Sequence, residues 1–308
     1  MAVGLAFQIV SACRESEMAC TMSLSHAKRQ SGLTLVELMI AMLLGSIMVA
    51  GAVQIFSSNV QAFRLQQVVS SVQESGRLAM EMIQADLRRA GMGNPVDAGG
   101  VAIPGLTLGN ARTAAGTGPG LLVASDYVQV AYEAPEDMAD CEGNQALAGQ
   151  TIINRYYVQV DPNPNISALF CNGQVVGGAA GAARIALVRG VQSFQVQVGV
   201  HGAVPAAGRA EVNGYGSPRR YVNPAAMAAG NSIAVAVRVG LVMRSEQGVQ
   251  GLGDVQNTLT LLDTTIAPAT LNAVQISGAR PVHRIFVKTV ALRNSPVATP
   301  CAGAVCVL

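Results

Sequence analysis

Apolar residues are concentrated near the beginning of the chain, in an almost unbroken run from Leu33 to Val53. At a rise of about 1.5 Å per residue, a helix of this length spans about 30 Å, the thickness of the hydrocarbon core of a bilayer. The run holds one charged residue, Glu37, near its start, and the basic residues Lys28 and Arg29 lie just upstream. The pattern predicts a membrane-inserted helix with a carboxylate at a position where a charge is costly.

The apolar run continues into a segment where apolar and polar residues alternate at helical spacing. The apolar positions fall mainly three or four residues apart, which places them on one face of a helix. No proline occurs between Leu33 and Asn94, and the glycine-rich segment 91–95 is a strong stop signal. We therefore predict one helix from Leu33 to about Ala90, whose second half packs on the rest of the chain through a single stripe. The stripe consists of Phe56, Val60, Phe63, Val68, Val69, Val72, Met80, Ile83 and Leu87.

Beyond the helix, short segments rich in β-branched and aromatic residues follow one another, with turn residues between them. No clear helical run separates them, which favours an antiparallel sheet over alternating β-α-β units. The predicted fold is α+β, with a long N-terminal helix packed on an antiparallel β-sheet head domain at residues 91–308. The Ala/Gly-rich stretches Gly177–Ala183 and Gly202–Gly230 are predicted to be surface loops. The predicted strands are Tyr127–Tyr132, Ile152–Val160, Ile185–Val188, Phe194–Val198, Ile233–Met243 and Arg284–Leu292.

Composition and motifs narrow the class of function. Charged residues make up 12% of the chain and the formal net charge is +2, so there is no electrostatic footprint for nucleic acid as a main partner. The sequence has no HExxH, P-loop or GxSxG pattern, and we expect no enzyme, no catalytic residue and no cofactor. The acidic stretch from Glu133 to Glu142 could offer oxygen ligands to calcium. Its spacing is not that of an EF-hand, so a solvated loop is favoured over a metal site.

Four of the six cysteines lie after the apolar run, at Cys141, Cys171, Cys301 and Cys306. An even number beyond a membrane segment indicates an oxidising compartment and one or two disulfides. Four cysteines allow three connectivities. We favour Cys141–Cys171 and Cys301–Cys306, because each pair is close in sequence, and free buried thiols are the alternative.

Two common kinds of segment compete to explain the N-terminal run. One is a cleavable secretory signal, with Ala50-Gly51-Ala52 as a small-residue cleavage site. The other is a simple transmembrane anchor. Neither accounts for Glu37, and a signal that is cut away does not account for the amphipathic segment that follows.

The segment from Gly32 to Ile40 (Gly-Leu-Thr-Leu-Val-Glu-Leu-Met-Ile) resembles the processing motif of type IV pilins and type II secretion pseudopilins. The resemblance implies that a prepilin peptidase cuts between Gly32 and Leu33 and methylates Leu33 as the new N-terminus. Glu37 then becomes the fifth residue, which in that family engages the N-terminal amine of a neighbouring subunit. This chain departs from the family pattern in having Leu33 instead of phenylalanine, and in having no proline midway along the helix.

The same resemblance divides the chain into three parts. Residues 1–32 correspond to a prepilin leader, and a start at Met22 would shorten that leader to residues 22–32. Residues 33–90 correspond to the N-terminal helix, with a transmembrane or fibre-core half at residues 33–53, and residues 91–308 correspond to the head.

Later segments resemble PilW-type minor pilins, namely 75–92, 236–245 and 284–294. This resemblance implies a subunit that joins a pilus initiation or tip complex and promotes assembly, with links to twitching motility, adhesion and DNA uptake. The implied partners are other minor pilins, the major pilin, the prepilin peptidase, the inner-membrane assembly platform and a PilY-type tip adhesin. The implied location is the bacterial inner membrane, with a periplasmic head, before assembly and the pilus afterwards.

Two other functions stay open at this point. One is a minor pseudopilin (GspJ-like) of a type II secretion system, which shares the processing motif. The other is a membrane-anchored exported adhesin or binding domain.

Overall fold

The computed structural model describes residues 34–109, 125–161, 166–178, 185–203, 217–224, 232–273, 276, 278–293 and 305–307. The first element is the helix α1, which runs from Leu35 to Arg89. It ends where Gly91 adopts a φ of +68°, a conformation that favours glycine, and the Met92 amide bonds back to the Arg89 carbonyl at 2.8 Å. The chain divides into two compact units between Phe56 and Ser57, so α1 contributes to both.

Every strand pair in the described residues is antiparallel. Together with α1, this confirms the predicted fold class. A short helix, α2, covers Pro268–Ala273. The strands are β1 Leu106–Gly109, β2 Tyr127–Glu133, β3 Met138–Ala139, β4 Gln145–Ala146, β5 Thr151–Asp161, β6 Ile166–Val175, β7 Ile185–Arg189, β8 Val191–Ala203, β9 Arg220–Val222, β10 Ser232–Arg244, β11 Leu259–Leu261, β12 Thr264–Ile266, β13 His283–Ala291 and β14 Val305–Val307.

Two main sheets build the head. One has the strand order β14-β1-β2-β5-β6-β7 and the other has the order β13-β10-β8-β9. The chain crosses from the first sheet to the second at Gly190, which has a φ of +85° between β7 and β8. The pairs β3–β4 and β11–β12 form separate two-stranded ribbons.

The C-terminal part of α1 closes the main core of the head. Val72, Ala79, Met80, Ile83 and Leu87 are at most 5% exposed and pack in one cluster with apolar side chains of both sheets. Each of these positions lies three, four or seven residues from another of the set, so they share one helix face.

The predicted stripe is buried over only part of its length, which corrects the expectation that all of it packs on the head. Phe56 and Phe63 are 70% and 60% exposed, and the first fully buried position is Val72. Length explains the difference: 55 helical residues extend about 80 Å, whereas a strand of ten residues extends about 33 Å. The sheets can cover only a fraction of such a helix.

The six predicted strands are present, and several are longer than predicted. The strand β6 was missed, because its Asn172-Gly173-Gln174 segment interrupts the apolar pattern. The predicted loop Gly202–Gly230 is wrong in part: β8 extends to Ala203, and β9 pairs with β8 at residues 220–222. Residues 179–183 of the other predicted loop lie outside the described residues.

Candidate functional site

The first turn of α1 is fixed by a capping interaction. The backbone N–H of Glu37 donates to the hydroxyl oxygen of Thr34 at 3.2 Å, the first half of a Thr-x-x-Glu capping box. Thr34 therefore stands at the N-cap, and Glu37 lies in the first turn, where the helix dipole favours a negative charge. Among the described residues, no hydrogen bond or ion pair involves the Glu37 carboxylate.

The helix segment after Glu37 exposes a continuous apolar surface. Within the described residues, α1 is the one helix long and apolar enough to cross a membrane, and none of its apolar window is buried. A soluble protein rarely exposes so large an apolar surface, and this exposure fits a helix that is covered by lipid or by other protein. The exposed side chains include Leu35, Val36, Leu38, Met39, Ile40, Met42, Leu43, Leu44, Ile47, Met48, Val49 and Val53.

The structure thus places Glu37 at the start of the exposed apolar surface. Gly32 and Leu33, the residues of the expected cut, lie outside the described residues and directly precede Thr34 in the sequence. Their role stays a prediction.

Another charged residue of α1, Asp86, lies inside the head, and the sequence analysis does not predict its role. It is 5% exposed, and its Oδ2 accepts hydrogen bonds from the Tyr156 hydroxyl and the Asn154 side-chain amide, both at 2.6 Å. Its Oδ1 accepts from the Tyr132 hydroxyl at 3.5 Å and lies 3.3 Å from a guanidinium nitrogen of Arg89. These contacts join α1 to β2 and β5.

Burial and the nearby Asp86 carboxylate raise the pKa of both phenols, Tyr132 and Tyr156, above the ordinary tyrosine value. They therefore stay protonated and act as hydrogen-bond donors. With its lone pairs occupied, Asp86 is a structural acceptor that fixes the helix on the sheet. A sequence signal existed: Asp86 falls between Ile83 and Leu87 on the buried face, where an acidic residue needs partners.

A cavity of about 230 Å³ opens beside this cluster. The disulfide between Cys141 and Cys171 lies at its wall, with a Cα–Cα distance of 6.2 Å. This bond ties the segment between β3 and β4 to β6, and it joins one of the two pairs favoured from sequence proximity. Cys301 lies outside the described residues, as does the side chain of Cys306 in β14.

The carboxylates of the acidic stretch serve local backbone groups. Glu133 accepts from the Asn94 N–H, Asp137 from the Ala148 N–H, and Asp140 from the N–H groups of Glu142 and Asn144, all at 2.9 Å. Across the described ranges, no group of three or more His, Cys, Asp or Glu residues could hold a metal ion. These bonds order the turns at this end of the head.

Comparison with known families matches two parts of the chain. Residues 155–294 match the family described as type IV pilus-assembly protein W, and residues 27–53 match the prokaryotic N-terminal methylation motif. A type IV-like pilin from Thermus thermophilus is similar in structure, with 14% sequence identity and a TM-score of 0.37. That alignment covers 72% of this chain and 97% of the Thermus chain. No curated protein sequence matches this chain.

Proposed function

We propose that the chain is a minor pilin that joins other pilins and promotes pilus assembly, because residues 155–294 match the type IV pilus-assembly protein W family and residues 27–53 match the prokaryotic N-terminal methylation motif. This is a family of pilin-like structural proteins and not a known enzyme family. The observation that carries the proposal is the exposed apolar surface of α1, which starts at Glu37, a carboxylate without a partner among the described residues. Such a surface suits a subunit that is held in lipid first and among other helices later.

Processing is the first step of this proposal. A prepilin peptidase removes residues 1–32, cutting between Gly32 and Leu33, and methylates the amine of Leu33. The match of the methylation motif to residues 27–53 supports this step, because it spans the expected cut. The mature chain then begins with Leu33, directly before the N-cap residue Thr34, and Glu37 lies in the first turn of α1.

Glu37 has a physical reason to bind another subunit. A carboxylate within a membrane-length segment is costly to bury, and so is the charged amine at Leu33. When the amine of one subunit meets the Glu37 carboxylate of its neighbour, each compensates the charge of the other. Because both groups lie at one end of the apolar surface, their contact sets the axial register between neighbouring helices.

Assembly then moves the apolar surface of α1 from the inner membrane into the fibre core. The surface stays out of water in both places, so the transfer does not expose apolar area to solvent. The head, with its disulfide, remains on the periplasmic side, an oxidising compartment. The inner-membrane platform, the major pilin, other minor pilins and a PilY-type adhesin are the partners that this role requires. Twitching motility, adhesion and DNA uptake would follow from the pili themselves.

The test compares two carboxylates on the same helix. In cells that produce the Glu37→Ala variant, we expect normal cleavage and membrane insertion but a sheared pilus fraction lowered by at least about tenfold, since a buried charge loses its partner. Glu74→Ala is the matched control, because Glu74 is exposed on α1 and makes no ion pair within the described residues. Normal piliation of the Glu37→Ala variant would contradict the proposed role of this residue.

Cleavage of the leader is tested separately from assembly. The Gly32→Ala variant should keep its leader and migrate more slowly on a gel, and mass spectrometry of the wild type should find a methylated Leu33 as the first residue. A mature chain that begins after Ala52 would indicate a secretory signal instead. Loss of type II secretion with intact pili in a deletion strain would indicate a pseudopilin.

A further inference from the structure

The ends of β10 and β13 place two nitrogen-bearing side chains next to each other in the head. Arg244 and His283 are partners in the register of this antiparallel pair, so their side chains lie on the same face of the sheet. Arg244 is 7% exposed. The Nε of Arg244 and the Nε2 of His283 are both buried without a hydrogen-bond partner in the part of the chain that the structure describes.

Among the described residues, no carboxylate forms an ion pair with Arg244 or His283. A guanidinium remains protonated in proteins, so Arg244 carries a positive charge although it is more than nine-tenths buried. The carboxylate of Glu246 acts on it electrostatically, but no ion pair forms between them among the described residues. A buried charge without a partner is costly, and natural proteins usually pair such groups.

The backbone around Arg244 is held firmly. The Arg244 N–H donates to the Gly190 carbonyl at 2.8 Å, and the Ser245 N–H donates to the Val282 carbonyl at 2.9 Å. The Ser245 hydroxyl accepts from the Val282 N–H at 3.0 Å. At Gly190 a side chain is excluded, since its φ is +85° and a Cβ would collide with the Arg244 carbonyl oxygen. The backbone that carries Arg244, and the backbone next to His283, are therefore held in place before any ligand binds.

We propose that Arg244 and His283 form a binding site for a carboxylate group. The planar guanidinium matches a carboxylate in geometry, and one carboxylate balances one guanidinium in charge. A neutral histidine with its proton on Nε2 adds a donor to the same ligand. The carboxylate comes either from an acidic side chain of a neighbouring polypeptide or from a small free carboxylate. This site rests on residues of the head alone and does not depend on the proposed assembly role.

The test uses the full chain in detergent micelles, with acetate as the probe. At equal ionic strength, acetate at about five times its Kd should raise the midpoint of thermal unfolding by about 2–4 °C relative to chloride. The Arg244→Met variant should lose this response, because the methionine keeps the bulk and removes the charge. Arg238→Met is the matched control on the same strand: Arg238 packs over the Tyr221 ring, 3.5 Å from its centroid, and this variant should respond like the wild type.

Each outcome of the acetate experiment either supports or overturns the proposed site. No acetate response in the wild type, or the same response in the Arg244→Met variant, would overturn the site. If the Arg244→Met variant shows no cooperative unfolding, the Arg244→Lys variant is used instead. The affinity of the Arg244→Lys variant for acetate should be about tenfold lower than that of the wild type, because lysine lacks the planar guanidinium. Unchanged affinity in that variant would also overturn the site.

The source of the carboxylate is tested with a second probe. The peptide acetyl-Ala-Glu-Ala-amide is compared with its glutamine counterpart in the same assay. A response to the glutamate peptide supports an acidic side chain as the ligand, and a response to acetate alone supports a small free carboxylate. A response to both peptides would mean that the carboxylate is not what is recognised, and it would overturn the site.

Discussion

Replacing Asp86 by asparagine should destabilise the head strongly while keeping its shape. The carboxylate accepts two hydrogen bonds at 2.6 Å from Tyr156 and Asn154, and a longer one from Tyr132. The asparagine side chain has one oxygen, so its NH₂ group must face at least one of these donors. Asp86 also pairs with Arg89, whose side chain is 41% exposed and adds little.

The expected loss follows from these contacts. A hydrogen bond to a charged group contributes about 1.5–3 kcal/mol, whereas one between neutral groups contributes about 0.5–1.5 kcal/mol. Both short bonds go to Oδ2, so asparagine keeps them only as neutral hydrogen bonds if its oxygen takes that position, and its NH₂ group then faces Tyr132 and Arg89. With the Arg89 pair discounted for its exposure, we expect Asp86→Asn to lower the free energy of unfolding by about 2–3 kcal/mol. Tyr156→Phe removes one donor and should cost about 1–2 kcal/mol.

Equilibrium unfolding in urea, followed by the near-UV circular dichroism of the tyrosines, measures both variants in detergent micelles. The double variant Asp86→Asn/Tyr156→Phe should lose less than the sum of the single losses, because one substitution weakens the bond between the two side chains and the other removes it. Glu74→Gln, an exposed carboxamide substitution on the same helix, is the control and should change the free energy by less than about 0.5 kcal/mol. A loss below about 1 kcal/mol for Asp86→Asn would refute the view that this cluster fixes α1 on the sheet.

Three further predictions concern the head. Gly76→Ala should cost about 1–3 kcal/mol in the same urea assay, because its Cβ would collide with the Phe286 ring; Phe286→Leu should relieve part of this cost. Burial, aided by a nearby arginine, lowers the pKa of His283 to about 4. The His283 side chain therefore binds a proton at higher pH in the unfolded chain than in the folded one, and the free energy of unfolding should fall by up to about 3 kcal/mol between pH 6.5 and 4. In urea unfolding measured at several pH values, a His283→Gln variant should lack this loss. Reduction of the Cys141–Cys171 disulfide, which closes a loop with a sequence separation of 30, should lower the free energy of unfolding by about 3–4 kcal/mol, measured with and without reductant.

The features that the sequence predicts well are those set by local chemistry. The end of α1 follows from Gly91, which supplies a left-handed conformation, and the strands with clear apolar alternation appear where expected. The strand β6 is not predicted because its Asn172-Gly173-Gln174 segment interrupts the apolar pattern, and pairing with β5 and β7 overrides this weak local signal. Asp86 was missed for a similar reason: its partners Asn154 and Tyr156 lie about 70 residues away in sequence. The position of Asp86 on the buried face of α1 indicates that it needs partners, but no local pattern shows which residues they are.

Two carboxylates of α1, Asp86 and Glu37, differ in where their partners lie. Asp86 has its hydrogen-bonding capacity filled by donors of its own head, whereas the Glu37 carboxylate has no partner among the described residues. A group that is satisfied within the chain contributes to folding, and a charged group left without a partner in an apolar segment becomes stable only when another molecule supplies the counter-charge. Because the two residues share no partner, their substitutions should act independently. Asp86→Asn should therefore lower the stability of the head without affecting cleavage at Gly32, while Glu37→Ala should leave urea unfolding of the head unchanged and reduce piliation. If Glu37→Ala destabilised the head as much as Asp86→Asn does, this division of roles between the two carboxylates would be wrong.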